Sequence, residues 1–359
     1  MRIGFIYQDA LGHGGYPRDV RWLASALATK GVKVTLFCHR KNKENAEGLL
    51  NVVEVRPFHD LSSADADVFH VFGILIPHHL LAIGRLLRKP VVVSPMGHLM
   101  SYHLRRKALK KALYLKVVRP LLKRVRWFHV FSDLEASSVT RYIGDRVQTF
   151  EAGLGVFLAP MGVEGERRDF EPSNEPTRLL FFGRNDVYQK GIDILLEGYA
   201  KAIQMGAKAT LTIAGQPWGN SEQFIWKFVE KRGLGESVQL MGPVDDSTKW
   251  KLLQEVDYLV FLSRWDGPPR PIREAIAVGT PVIVSSETNM GHLVTEFGAG
   301  LEVPLNPDEV AKAILRASKE KALWHKHREG VKKLYERLSW NRVAEDYIRG
   351  YQRVLESLS

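Results

Sequence analysis

Residues 259–286 read LVFLSRWDGPPRPIREAIAVGTPVIVSS. Tyr258 to Leu262 is an apolar run of strand length, and a loop holding Asp266 and Gly267 follows it. The pattern predicts a helix from about Pro271 that carries Glu274 and ends at Gly279. Pro281 comes next, and a second apolar strand begins at Val282. Two carboxylates, Asp266 and Glu274, therefore flank a strand-loop-helix turn. In open α/β sheets, ligands bind at such carboxyl ends of strands. A helix start adds unpaired N–H groups and a positive dipole end, both of which favour phosphate.

Upstream, the same alternation recurs. Arg2 to Tyr7, Val32 to Cys38, Val53 to Pro57, Val68 to Phe72, Pro90 to Ser94 and Phe128 to Phe131 read as short strands. Pro17 to Lys30 between the first two reads as an amphipathic helix closed by Gly31. The polar stretch Met161 to Thr177 is the linker candidate. A second series follows, with strands at Arg178 to Phe182, Ala209 to Ala214 and Val238 to Met241. Helices are expected at Gly191 to Gln204, Ser221 to Lys231 and Thr248 to Gln254. Strands alternating with helices predict a parallel, doubly wound α/β sheet, here twice. The tail from Ser339 to Leu358 has apolar residues at helical spacing, from Trp340 to Val354.

The length of 359 residues suits about two domains. The one cysteine, Cys38, excludes a disulfide framework and a cysteine zinc site, and suits a reducing compartment. The opening MRIGFIYQ reads as a strand and not a signal peptide, and no apolar run nears the roughly 20 residues of a membrane span. A cytoplasmic protein is expected. The net charge of +11 is unevenly placed. No Asp or Glu occurs between Val68 and Ser132, and residues 105–126 carry ten Lys or Arg. Leu109, Leu113, Val117 and Leu121 lie among those cations at helical spacing. Two readings stay open: an interfacial helix peripheral to the inner face of an anionic membrane, or a solvated helix whose apolar stripe faces the core. No nucleic-acid-binding motif accompanies the charge, so nucleic acid is not an expected partner.

Two further clusters bear on phosphate. Gly183, Arg184 and Lys190 surround a short loop between a strand and a helix, a cradle of two cations beside a helix start. Gly12, Gly14 and Gly15 lie between the first strand and the first helix, where glycine lets a phosphate approach the backbone. Asp65 and Asp67 form an Asp-x-Asp, too thin a ligand set for a metal.

The segment from Asp266 to Ile283 resembles the signature of retaining glycosyltransferases of the GT-B fold, family 4 (group 1 type). Asp266, Gly267, Pro271, Glu274, Ala275, Gly279, Pro281, Val282 and Ile283 match that signature in register. The resemblance implies two Rossmann-like doubly wound domains facing a central cleft. Residues 1–165, completed by a helix over 340–359, would form the acceptor domain. Residues 166–339 would form the nucleotide-sugar donor domain. It implies that Glu274 binds the ribose and that Arg184 and Lys190, beside Gly183, neutralise the diphosphate. Asp266 and the loop Gly267, Pro268, Pro269, Arg270 and Pro271 would hold the transferred sugar. Gln216 and Val244 would complete the donor site, with Gly14 and Gly15 on its phosphate side. His98 would lie near the sugar, although many relatives place that histidine where Met96 stands. His98, Arg184, Lys190 and Asp266 are thus the expected catalytic residues, and no cofactor or metal is expected.

The sequence departs from the family at the same place. Asp266 is one methylene shorter than the usual Glu. Pro268 and Pro269 have no N–H to donate, and Arg270 could restore positive charge. The expected reaction is retaining transfer of a hexose from a nucleotide sugar to an acceptor hydroxyl of a bacterial glycan or lipid-linked acceptor. Family frequency points to UDP-glucose, and GDP-mannose stays open. No residue is an obvious nucleophile, as in relatives whose leaving phosphate helps to deprotonate the acceptor. Two other classes remain: a nucleotide-sugar epimerase of the same fold, and a non-catalytic protein that binds nucleotide sugar or membrane.

Overall fold

The computed structural model describes residues 1–39, 53–63, 65–106, 108–156 and 176–358. They form two compact units, Met1–Gly155 with Leu338–Ser359, and Val156–Arg337. The expected linker falls outside the described residues up to position 175.

Among its described residues the first unit has seven strands: β1 (Arg2–Ile6), β2 (Lys33–Cys38), β3 (Glu54–Pro57), β4 (Val68–Phe72), β5 (Val91–Ser94), β6 (Trp127–Val130) and β7 (Gln148–Glu151). Their spatial order is β3-β2-β1-β4-β5-β6-β7, with every pairing parallel. Parallel sheets are covered on both faces, so their strands read as continuous apolar runs. Every residue of β4 is buried. Side-chain alternation then divides the strands between two cores. Ile3, Phe5, Val68, Phe72 and Val92 join one cluster, with Val343, Tyr347, Tyr351 and Val354 of the last helix, Trp340–Glu356. Ile6, Phe69, Val71, Val93, Phe128 and Val130 join the other. The tail therefore returns to the first unit because its stripe completes that core.

The basic segment lies in two helices, Ser101–Arg105 and Ala108–Leu122. The longer one buries Val118 and Leu122. Leu109, Leu113 and Val117 are 90%, 67% and 71% exposed. Most of the apolar stripe thus faces away from the core, against the second reading of this segment.

The second unit contains β8 (Thr177–Phe182), β9 (Ala209–Ala214), β10 (Val238–Met241), β11 (Tyr258–Phe261), β12 (Val282–Ser285) and β13 (Gly300–Val303). Their order is β10-β9-β8-β11-β12-β13, again all parallel. The order reverses between β8 and β11, which pair through Tyr258↔Leu179 and Leu259↔Leu180. Both strands end there, and the loops after them open the crevice in which such sheets bind ligands. Strands β7 and β13, and the helices Gly291–Phe297, Pro307–Lys319 and Lys321–Arg337, were not anticipated. QTFE and GLEV are short, and their polar residues hide the apolar pattern.

Candidate functional site

The cradle after β8 is shaped by two close approaches of backbone. Gly183 has φ 154° and turns the chain out of the sheet. Its carbonyl lies so near Gly215 that a Cβ there would sit 1.9 Å from it. Beyond this contact the loops after β8 and β9 stay paired, the Asn185 N–H donating to the Gln216 carbonyl at 2.8 Å. Gly191, at φ 63°, caps the helix Ile192–Gln204 and packs on the Leu262 carbonyl at the end of β11. No side chain fits in either place, so the cradle is fixed to the two switch-point strands.

That packing brings the two loops' charges together. Lys190 Nζ forms an ion pair with Asp266 Oδ2, both side chains being mostly buried. The same Asp266 oxygen lies 3.1 Å from Ser263 Oγ. Lys190 also sits 5.1 Å above the Phe261 ring. The backbone of Asp266 is held as well: its N–H donates to the Glu287 carbonyl at 3.1 Å, and Asn289 Nδ2 donates to its carbonyl at 2.5 Å. Arg184 is exposed at the mouth, stacked 4.5 Å over Trp218 and donating to Gln189 Oε1 at 2.8 Å. Below it, Arg264 makes a two-pronged pair with Asp193 at 2.8 and 2.7 Å. That fork ties the signature loop to the helix after the cradle.

Gly267, Pro268 and Pro269 are buried, and the helix Arg270–Val278 follows with Pro271 in its first turn. Glu274 is 3% exposed. Its Oε1 receives Lys249 Nζ at 3.1 Å, from the helix Asp246–Glu255, and Arg270 Nη2 at 3.2 Å. Arg270 therefore turns its guanidinium back onto Glu274. Gln216 and Val244 lie in the loops after β9 and β10. Ser263, Gln189, Trp218 and Lys249 are contacts that the sequence reading missed. Isolated polar or aromatic residues in loops and on a helix face carried no spacing signal.

Gly14, Gly15 and His98 belong to the first unit. Gly14, at φ 118°, precedes the helix Gly15–Thr29. His98 follows a tight turn in which Met96 and Gly97 have φ 58° and 77°. A non-glycine residue there is a strained exception. Glu135 holds the turn, accepting the Gly97 N–H at 2.6 Å and the Phe131 N–H at 2.9 Å. Burial raises Glu135 to about 7 against those two donors. His98 is half-buried, and its Nδ1 is sealed from solvent without a partner among the described residues. Burial, then the neighbouring His103 and Lys111, lowers His98 to about 3, so the ring is neutral near pH 7. His79 bridges the loops after β1 and β4, accepting the Gln8 N–H at 2.9 Å and donating to the Gly73 carbonyl at 3.1 Å. Asp65 and Asp67 both pair with Arg2.

Two parallel switch-point sheets, with cations and carboxylates gathered at the second reversal, define the class. Residues 163–334 match the family described as Glycosyl transferases group 1. The chain is 28% identical over 303 residues to a GDP-mannose:cellobiosyl-diphosphopolyprenol alpha-mannosyltransferase of Xanthomonas campestris, covering 81% of this chain and 75% of that one. An uncharacterized glycosyltransferase of Methanocaldococcus jannaschii is 27% identical over 62% of this chain and 58% of its own length. The Anabaena protein HepE, solved in complex with UDP and glucose, superposes with a TM-score of 0.68 at 17% identity, over 100% of this chain and 99% of that one. The second unit thus resembles the group 1 glycosyltransferases, and the whole chain has the GT-B fold of its solved neighbours.

Proposed function

We propose that the protein transfers a hexose, with retention at the anomeric carbon and without a metal, from a nucleoside-diphosphate sugar to an acceptor hydroxyl. The observation that carries this reading is the meeting of Lys190 and Asp266 at the reversal between β8 and β11, with Arg184 at the rim. As the glycosidic bond breaks, negative charge grows on the departing diphosphate. Fixed cations aimed at that charge stabilise the transition state more than the ground state. Arg184 and Lys190 would supply this charge in place of a metal. Asp266 would exchange its contact with Lys190 for the sugar hydroxyls, and Glu274 would take the ribose. Gly14, Gly15 and His98 would serve the donor phosphates and the sugar from the first unit, which would hold the acceptor.

Two donors have support. GDP-mannose is the donor named for the Xanthomonas relative. UDP-glucose rests on family frequency and on the UDP and glucose bound by HepE. The greater sequence identity favours GDP-mannose. The acceptor in this reading is a lipid-linked glycan, as for the Xanthomonas relative, whose named acceptor is a diphosphopolyprenol. The exposed Leu109, Leu113 and Val117, set among cations, support docking on an anionic membrane surface. Among the described residues no helix is long and apolar enough to cross a membrane.

The test is calorimetric binding of UDP, GDP and ADP, each free and as a sugar conjugate, without added metal. Selective binding of one nucleotide supports the reading and settles the base. Binding of none transfers the weight to a non-catalytic protein. Release of an isomerised donor in the absence of acceptor would replace the transferase with an epimerase.

A further inference from the structure

We infer that Lys249 is a positioning residue that aims the Glu274 carboxylate at a ribose hydroxyl, and so sets discrimination between ribonucleotides and deoxyribonucleotides. The inference rests on the proposed donor site and deepens it. The two oxygens of Glu274 have unequal surroundings. Oε1 receives both Lys249 Nζ, at 3.1 Å, and Arg270 Nη2, at 3.2 Å. Among the described residues no group donates to Oε2, and that oxygen is not sealed from solvent. A carboxylate pinned through one oxygen offers the other in a fixed direction. A ribose hydroxyl donating to Oε2 would then meet an acceptor already oriented.

The two cations are not equivalent. Arg270 lies one turn before Glu274 on the same helix and is 24% exposed at its side chain. Lys249 reaches across from the helix Asp246–Glu255, with only 8% of its side chain exposed. Its ammonium is itself held, 2.8 Å from Asp246 Oδ1 and 4.7 Å above the Trp250 ring. Contact from a second element restrains carboxylate rotation in a way that a same-helix partner cannot.

The experiment compares UDP with 2′-deoxy-UDP, and GDP with 2′-deoxy-GDP, by calorimetry. The wild-type protein, Lys249→Met, Lys249→Gln and Lys249→Arg are each measured, with circular dichroism as the check on folding. A hydrogen bond to a charged acceptor corresponds to about tenfold in affinity or more. The wild type should therefore favour the ribonucleotide by about tenfold. Lys249→Met should reduce that preference to about twofold or less by weakening the ribonucleotide, with the deoxynucleotide little changed. Lys249→Gln should fall between, so a Met variant that does not fold leaves a measurable case. Lys249→Arg should retain most of the preference. Equal weakening of both nucleotides, or an unchanged ratio, would show that Lys249 only neutralises a buried carboxylate and would overturn the inference. Failure of the wild type to bind either nucleotide would overturn the proposed function, and this inference with it.

Discussion

Lys190 has two partners to choose between. In the structure it pairs with Asp266, and it lies in the loop where a diphosphate would be received. An Asp in place of the longer Glu keeps its carboxylate close to the backbone of its own loop, where Ser263 also donates to it. A buried carboxylate that lost Lys190 would keep the Ser263 contact but lose its countercharge. Lys190→Met should weaken UDP or GDP binding by on the order of ten- to a hundredfold, the range of a hydrogen bond to a charged group. Binding of the monophosphate should change by less than about threefold. Titration calorimetry of both nucleotides checks this; equal losses would place Lys190 on the base or ribose side.

Elements show how an apolar stripe acquires a direction. The helices Trp340–Glu356 and Ala108–Leu122 both read as amphipathic segments, yet one is buried along its stripe and the other is not. The tail helix carries Val343, Tyr347, Tyr351 and Val354 into the first unit's core, where β4 to β7 leave a face uncovered. The basic helix spends only Val118 and Leu122 on packing. Leu109, Leu113 and Val117 are left in solvent, among lysines and arginines. Replacing all three with Ser should release the protein from anionic vesicles without unfolding it. Each side chain loses part of the roughly 1.5–3 kcal/mol that full burial of a large apolar residue gives. A vesicle-pelleting assay with a melting curve checks both halves. Undiminished pelleting would assign the stripe to another partner.

At the scale of the whole molecule, one buried hydrogen-bond chain starts just past β7, crosses three strands of the first unit and reaches its last helix. The Ala152 carbonyl can only accept, so His129 Nε2 donates to it at 2.9 Å. His129 Nδ1 must then accept the Ser94 hydroxyl at 2.6 Å. Ser94 in turn accepts from His70 Nε2 at 2.6 Å, and His70 Nδ1 accepts the Tyr351 hydroxyl at 2.7 Å. Every proton has one place, and both imidazoles are neutral. Burial lowers His129 to about 4 and His70 well below its ordinary value. Both folded values lie under the unfolded value of about 6.5. The stabilisation is therefore complete above pH 6.5 and is lost as pH falls toward 4. For His129 alone the loss is on the order of 3 kcal/mol. Melting temperature should fall steeply over that window, and a flat profile between pH 7 and 4 would contradict the neutral chain. Tyr351→Phe removes the terminal donor and should cost about 1 kcal/mol, read as a lower melting temperature at pH 7.

The sequence by itself determined the two parallel sheets, because a strand buried on both faces must be largely apolar, and β4, β11 and β12 stand out for that reason. It also picked out the residues at the two loop-helix turns that the proposed donor site uses. Gly183, Arg184, Lys190, Asp266 and Glu274 lie at strand ends and helix starts, positions set by local pattern. What each of them touches was not legible. Lys249 is 25 residues from Glu274, and Gln189 and Ser263 are joined across 74. Such pairs exist only once β11 lies beside β8. The direction of the basic helix's stripe, the return of Arg270 onto Glu274 and the histidine chain under Tyr351 were likewise decided by the tertiary structure. A side chain's partner depends on which elements pack together, and local periodicity carries no record of that.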